Sequence, residues 1–181
     1  MPNKVRPYQV IKHEIMDIGR FRVVRDTINI DNCEYPYSYL ANGSFVILLP
    51  IYQGKVVYIH QYHHTFNEWF DELPGGGVNE GESPDEAARR ELLEETGLSG
   101  QLVKLCELPG SQGTSAEMCY IYLVFCNKKV AQTIEPTELI EVREMSEIEF
   151  GRMVEQGKVR QLAAIVAWYY YQLGKEIRQN A

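Results

Sequence analysis

The stretch GGGVNEGESPDEAARRELLEETGL (residues 75–98) decides how this chain is read. Its middle is a helix with both ends marked. Ser83 can cap the start, Pro84 suits the first turn, and Glu86 completes an S-x-x-E capping box. Gly97 supplies the stop, because glycine enters the left-handed region without a Cβ penalty. The spacing therefore predicts a helix from Pro84 to about Thr96. At about 100° per residue, Glu95 lies about 40° to one side of Glu91 and Glu94 about 60° to the other, in one stripe with Ala87 and Ala88. Paired alanines of this kind mark a face packed closely against something. Glutamates belong on the opposite face, and like charges four residues apart cost a helix a few tenths of a kcal/mol even in solvent. A divalent cation removes the conflict, and Mg²⁺ needs only a few carboxylates because it keeps waters and takes phosphate oxygens. The plain alternative is a solvated helix laced with pairs such as Glu86–Arg90, which is how a bare RRELLEE string would be read.

The surroundings of that string add physical reasons of their own. Gly75, Gly76 and Gly77 let the backbone turn tightly and approach a metal or phosphate, with the Gly75 carbonyl facing the helix. Glu91 and Glu95 stand one turn apart and can serve one metal site. Glu94 lies beside them as another ligand or a proton acceptor. Arg90 points away from the stripe, and its expected task is to orient Glu82 by a charge-assisted hydrogen bond.

This segment resembles the signature of the Nudix hydrolase family. The signature is a glycine, five residues, Glu, seven residues, then Arg-Glu-apolar-x-Glu-Glu-x-Gly-apolar. Gly76, Glu82, Arg90, Glu91, Leu92, Glu94, Glu95, Gly97 and Leu98 fill it without departure. The resemblance implies Mg²⁺, with Mn²⁺ as a substitute, held mainly by Glu91, Glu94 and Glu95 with the Gly75 carbonyl assisting and Glu82 in support. It implies metal-assisted attack of water on one phosphorus of a P–O–P bond.

Working outward, Tyr8–Met16 and Phe21–Asn29 alternate imperfectly, as half-buried strands do, with a turn at Gly19. Gly43–Pro50 and Lys55–Gln61 read as strong strands joined at Gln53-Gly54. Glu68–Gly77 reads as a strand end running into a glycine-rich loop. Gly100–Leu108, Glu117–Cys126 and Ile140–Arg143 are further strands. Ser146 and Glu149 form a second capping box, Gly157 ends that helix, and Val159–Gln179 carries an apolar stripe with Leu162, Ile165, Val166 and Tyr169. Strands interrupted by one helix and closed by others predict an α+β fold, a mixed sheet between helical layers in an α/β/α sandwich. Residues 1–40 read as a β extension and 41–181 as the hydrolase domain.

Gln61-Tyr62-His63 followed by Glu72-Leu73-Pro74-Gly75 is similar to the segments before the box in ADP-ribose pyrophosphatases and their nucleoside-diphosphate-sugar relatives. Pro109-Gly110-Ser111-Gln112-Gly113-Thr114-Ser115, then Glu117, resembles the loop that follows it there. Three positions depart from the subgroup: His63 stands for Arg, Gly75 for Ala, and Gln112 interrupts the loop's Pro-Gly run. A neutral or partly charged His63 grips a phosphate less firmly than Arg. The resemblance implies a general base on a late loop, for which Glu138 is the best match and Glu135 and Glu141 are alternatives. It implies substrate contacts at His63, Glu72, Ser111 and Glu117, and a homodimer with residues 1–40 as the dimerisation arm. ADP-ribose, cleaved to AMP and ribose 5-phosphate, is the expected substrate; GDP-mannose or another nucleotide sugar is the alternative. A non-catalytic nucleotide-sugar sensor is the alternative of another class, and the intact carboxylate set argues against it.

The rest bounds the reading. With 181 residues there is room for one compact domain and a short extension, and a net charge of -7 gives no basic footprint for nucleic acid. No run of about 18 apolar residues predicts a membrane span, and the charged N-terminus does not read as a signal peptide, so the expected location is the cytoplasm. Cys33, Cys106, Cys119 and Cys126 form no CxxC pair and are expected to be free thiols. His60, His63 and His64 cannot converge on zinc from one strand, because His63 faces the other side. Tyr35, Tyr37, Tyr39, Trp69 and Phe70 are candidates to stack on a nucleobase, and the run Trp168–Tyr171 is a candidate dimer surface.

Overall fold

The computed structural model describes residues 6–134 and 138–179, with side chains as far as Lys175. Two compact units are present: residues up to Gly43 together with Pro109–Met118, and Ser44–Leu108 together with the chain from Cys119 onward.

The first unit is built on an antiparallel sheet of β1 (Gln9–Ile18), β2 (Phe21–Ile30) and β3 (Cys33–Leu40), in that order. Gly19 makes the first turn with positive φ, and Asp31 and Asn32 make the second in the same region, which their short polar side chains tolerate. β3 was not expected as a strand. Pro36 breaks the pattern of a paired strand, but β3 lies at the sheet edge, where a missing N–H is tolerated. Val24, Asp26 and Ile28 of β2 alternate inward and are buried. The 109–118 segment joins this unit through Leu40, whose N–H donates to the Thr114 carbonyl and whose carbonyl accepts from the Ala116 N–H.

The second unit holds β4 (Phe45–Tyr52), β5 (Lys55–His63), β6 (Glu68–Glu72), β7 (Gly75–Gly77), α1 (Pro84–Thr96), β8 (Leu98–Pro109), β9 (Met118–Lys129), β10 (Ile140–Ser146), α2 (Glu147–Glu155) and α3 (Leu162–Gln179). The strand order is β10-β5-β4-β9-β8. β4 runs parallel to β9 and β5 antiparallel to β10, so the sheet is mixed as expected. Side-chain alternation feeds both faces. Ile47, Leu49, Ile51, Val56, Tyr58, Ile121 and Leu123 pack with Phe150 of α2 and Ala164, Ala167 and Tyr171 of α3. Val46, Leu48, Val57, Tyr122 and Val124 pack with Ala87, Ala88 and Leu92 of α1. Strands buried on both faces read as continuous apolar runs, which is why VILLPI (46–51) looked so strong.

β4 and β5 pair only next to their turn, at Ile51–Val56 and Tyr52–Lys55. Beyond it they take different partners: β5 pairs with β6, and β4 pairs with β7. The glycine run expected as a loop is therefore a short strand, held by Ile47 opposite Gly75 and Phe45 opposite Gly77. α3 starts three residues later than Val159, because Val159 is taken by a parallel bridge to Asp71. Its buried face matches the predicted stripe only in part: Val166 packs on the core. Leu162 and Tyr169 are 73% and 63% exposed, and the helix packs through Ala164, Ala167 and Tyr171 instead. Small residues allow the close approach, and Gly151 of α2 gives Trp168 its room.

Among the described residues, no helix is long and apolar enough to cross a membrane. All four cysteines are free; Cys33 is exposed and Cys119 is buried. Burial pushes the Cys119 and Cys126 thiols up to about 12. At pH 8 only about one such thiol in ten thousand is ionised. A thiol-reactive disulfide reagent at pH 8 should therefore modify Cys33 quickly and Cys119 and Cys126 only after denaturant is added. Four thiols reacting at one rate in the native protein would contradict this packing.

Candidate metal and active site

α1 is fixed at both ends as the sequence predicts. The Ser83 hydroxyl accepts from the Glu86 N–H, and the Glu86 carboxylate accepts from the Ser83 N–H. Gly97 closes the helix in the left-handed conformation, donating to the Leu93 carbonyl. With Ala87, Ala88 and Leu92 pressed on the sheet, the rotation of the helix leaves Glu95 buried at 2% exposure and Glu91 half-buried. The Gly75 N–H of β7 donates to Glu95 Oε2 at 2.7 Å. Beside it, a methyl group on Gly76 would overlap the Glu91 carboxylate. Two adjacent glycines thus bring backbone against the two helical carboxylates.

Arg90 holds the outer part of the group. Its Nε and Nη2 each donate to Glu82 at 2.9 Å, and Nη2 also donates to the Gly77 carbonyl at 2.8 Å. The expected partnership with Glu82 is present. The expectation that Arg90 points away from the stripe is corrected, because Nη1 reaches back to Glu91 at 2.6 Å and Glu94 at 3.1 Å. Five N–H donors on a long stem let one side chain serve three carboxylates. The Arg90 hydrogen bonds drive the Glu82 carboxyl down to about 2, and Arg90 itself stays protonated.

The inner carboxylates behave in the opposite way. Burial, with added repulsion from Glu91, Glu138 and Glu72, pushes Glu95 up to about 9 against the opposing Gly75 hydrogen bond. Burial likewise raises Glu91, opposed by Arg90 and reinforced by Glu94 and Glu138. A desolvated group of carboxylates is costly to ionise, and a hard divalent cation is what relieves it. Among the described residues, no three His, Cys, Asp or Glu side chains close around one point. Glu91 and Glu94 are turned onto the Arg90 guanidinium. The donor set is all oxygen and strongly acidic, which fits Mg²⁺ or Mn²⁺ in chemistry.

The other predicted residues divide clearly. Glu138 lies close enough for its charge to raise both Glu91 and Glu95. Glu141 is exposed and paired with Arg143 at 2.8 Å, and Glu135 lies outside the described residues. Glu72 is buried, and His63 Nε2 stands 2.6 Å from its Oε1. Burial raises the Glu72 carboxyl and the His63 contact opposes that rise. His60 takes a different carboxylate, Asp71, at 2.7 Å, so the histidines do not converge. Ser111 and Glu117 belong to the first unit, where the Ser111 hydroxyl pairs with Thr114 at 2.8 Å and the Glu117 N–H donates to the Ser115 hydroxyl at 3.1 Å. Gln161 was missed. Its side-chain amide clasps both the N–H and the carbonyl of Leu73, at 3.1 and 3.3 Å, fixing the strand end that leads to Gly75. Leu73 and Gln161 are 88 residues apart, and no local pattern announces such a contact.

The NUDIX domain profile matches residues 43–169. An ADP-ribose pyrophosphatase of Bacillus subtilis (strain 168) is 26% identical over 139 residues, covering 75% of each chain. The methanol dehydrogenase activator of Bacillus methanolicus is 24% identical over 182 residues, covering 95% of this chain and 96% of that one. A crystal structure titled as an ADP compounds hydrolase superposes with a TM-score of 0.83, covering 98% of each chain at 18% identity, and so shares the fold. The chain belongs to the NUDIX domain family. It is an enzyme of the Nudix hydrolase type.

Gly76→Ala tests the geometry directly. The obstruction is the flexible end of Glu91 rather than backbone, so the fold should survive while Glu91 is displaced. We expect a melting temperature within a few degrees of wild type and Mn²⁺ affinity, measured by calorimetry, weaker by roughly 10- to 100-fold. Unchanged affinity would remove Glu91 from the metal site.

Proposed function

We propose that this protein hydrolyses the diphosphate linkage of a nucleoside diphosphate derivative, ADP-ribose foremost, giving AMP and ribose 5-phosphate. The observation that carries this reading is the buried Glu95 carboxylate, hydrogen-bonded by the Gly75 N–H and raised further by the charges of Glu91, Glu138 and Glu72. Such a site is poised for a divalent cation and a substrate rich in phosphate oxygens. Glu91, Glu94, Glu95 and the Gly75 carbonyl would hold Mg²⁺, with Mn²⁺ as a substitute. The bound ion supplies Lewis acidity toward the phosphoryl oxygens and acidifies the attacking water.

The protein's own residues do the rest. Glu138 accepts the proton of the attacking water. Arg90 and Glu82 form a charge-assisted brace that keeps the outer end of α1 and the Gly77 backbone in register. His63, held by Glu72, faces the phosphates. The name of the Bacillus subtilis relative supports ADP-ribose over GDP-mannose as the leading substrate. A homodimer belongs to the same reading. Ile15 and Tyr35 stand exposed on the same face of the three-stranded sheet as Val24 and Ile28, an apolar surface that a second copy covers. Free thiols are in keeping with a reducing cytoplasm.

Glu95→Gln should lower kcat by at least ~10²-fold at saturating Mg²⁺, since it removes an inner metal ligand. A loss below ~5-fold would contradict the assignment. A panel of ADP-ribose, GDP-mannose and other nucleotide sugars, followed by release of nucleoside monophosphate, ranks the substrates.

A further inference from the structure

β6 ends at Glu72 on β5, and β7 begins at Gly75 on β4. Leu73 and Pro74 make the crossing from one neighbour to the other. Pro74 has no N–H to donate, and its carbonyl accepts from the Leu48 N–H at 2.9 Å. Leu73 is buried in the core, so its backbone N–H and carbonyl need partners inside the protein. A second segment runs alongside this one. Val159 forms a parallel bridge with Asp71, and Arg160 pairs with Glu68 at 2.7 Å and stands 4.1 Å from the centre of the Phe70 ring. Continued for one more step, that parallel pairing would set Gln161 level with Leu73.

The backbone of Gln161 is committed elsewhere. Its carbonyl accepts from the Ala164 and Ile165 N–H groups at 3.1 and 3.2 Å and so starts α3. The side chain completes the pairing in its place. A primary amide carries both the donor and the acceptor of a peptide unit. Gln161 Oε1 accepts from the Leu73 N–H at 3.1 Å, and Nε2 donates to the Leu73 carbonyl at 3.3 Å. α3 is anchored in the core by Ala164, Ala167 and Tyr171, so the clasp ties the crossing to a fixed helix. Two residues beyond Leu73, the Gly75 N–H donates to Glu95 at 2.7 Å. Only Pro74 stands between them, and its ring fixes φ and leaves little slack.

We propose that Gln161 is a positioning residue of the metal site: its clasp on Leu73 holds the Gly75 backbone against Glu95 and thereby sets the affinity for the divalent cation. The proposal rests on the metal site of the hydrolase reading above and adds to it a residue from outside the carboxylate segment. Without the clasp, a buried N–H and a buried carbonyl lose their partners, and the crossing shifts to find others. Gly75 shifts with it, and the backbone that meets the inner carboxylate is no longer held in register.

The test measures Mn²⁺ binding by calorimetry without substrate, together with thermal melting, for the wild type, Gln161→Met, Gln161→Asn and Phe150→Leu. Methionine keeps the length of the stem without the amide. Asparagine keeps the amide one methylene short and favours a helix start, and this milder change is read if the methionine variant does not fold. Phe150→Leu, in the core under α2, lowers stability with the clasp intact. The Gln161 variants should bind Mn²⁺ roughly tenfold more weakly, as when other groups that orient metal ligands are removed, and Phe150→Leu should stay within about twofold of wild type at a comparable fall in melting temperature. Gln161 variants that bind Mn²⁺ as the wild type does, or a Phe150→Leu variant that loses as much affinity as they do, overturn the positioning role and leave the hydrolase reading standing. A wild type that binds no Mn²⁺ overturns the metal site and the positioning role together.

Discussion

The hydrogen bond from the Gly75 N–H to the Glu95 carboxylate ties the sheet to the helix at the one point where charge is buried. Burying a carboxylate without compensation costs far more than a single hydrogen bond returns. The surrounding structure is therefore arranged to make the position unavoidable. The capping box, the left-handed Gly97 and the two fully buried alanines fix the rotation of α1, and no other rotation keeps both alanines on the sheet. The parting of β4 from β5 lets β7 pair with β4 and carries Gly75 to that carboxylate. Remove either half and Glu95 has no reason to stay inside.

Arg90 answers the second electrostatic problem. Four acidic side chains of one short segment, Glu82, Glu91, Glu94 and Glu95, repel one another across a partly desolvated space. One guanidinium bonds three of them and a backbone carbonyl besides. The fourth, Glu95, is beyond its reach and rises farthest. The site is thus graded. Its outer rim, Glu82, is held firmly ionised, and its interior is starved of positive charge.

Legibility in the sequence followed the range of the interactions. The helix, its caps and the shared stripe of alanines and glutamates depend on neighbours within four residues and are read correctly from spacing. The hairpin at Gln53-Gly54 is likewise local, with both residues at positive φ. β3 was missed because its proline looks like a breaker until the strand is known to lie at an edge. The glycine run could not be recognised as a strand, since glycines carry no pattern and only β4 gives Gly75–Gly77 a partner. The stripe of α3 was only partly right because a helix with apolar residues on most sides offers several faces, and the sheet selected the one that carries Ala164, Ala167 and Tyr171. Arg90 was half right: its partner at Glu82 was anticipated, but a flexible arginine also serves the carboxylates behind it.

The departures from the related pyrophosphatases gain a physical meaning in this frame. Position 75 is glycine, and a methyl group there would overlap the Val46 carbonyl and crowd Ile47. The β4–β7 pairing is too close for a side chain there, and the glycine is a condition of bringing backbone to Glu95. His63 in place of arginine follows a similar logic. His63 reaches the buried Glu72 at 2.6 Å and turns its ring edge to Phe70. The positive charge that an arginine would bring is supplied from elsewhere, by Arg160 over the same ring. The helix fixes the class of reaction. The hairpin beside it sets His63 on the buried Glu72 and Phe70 under Arg160.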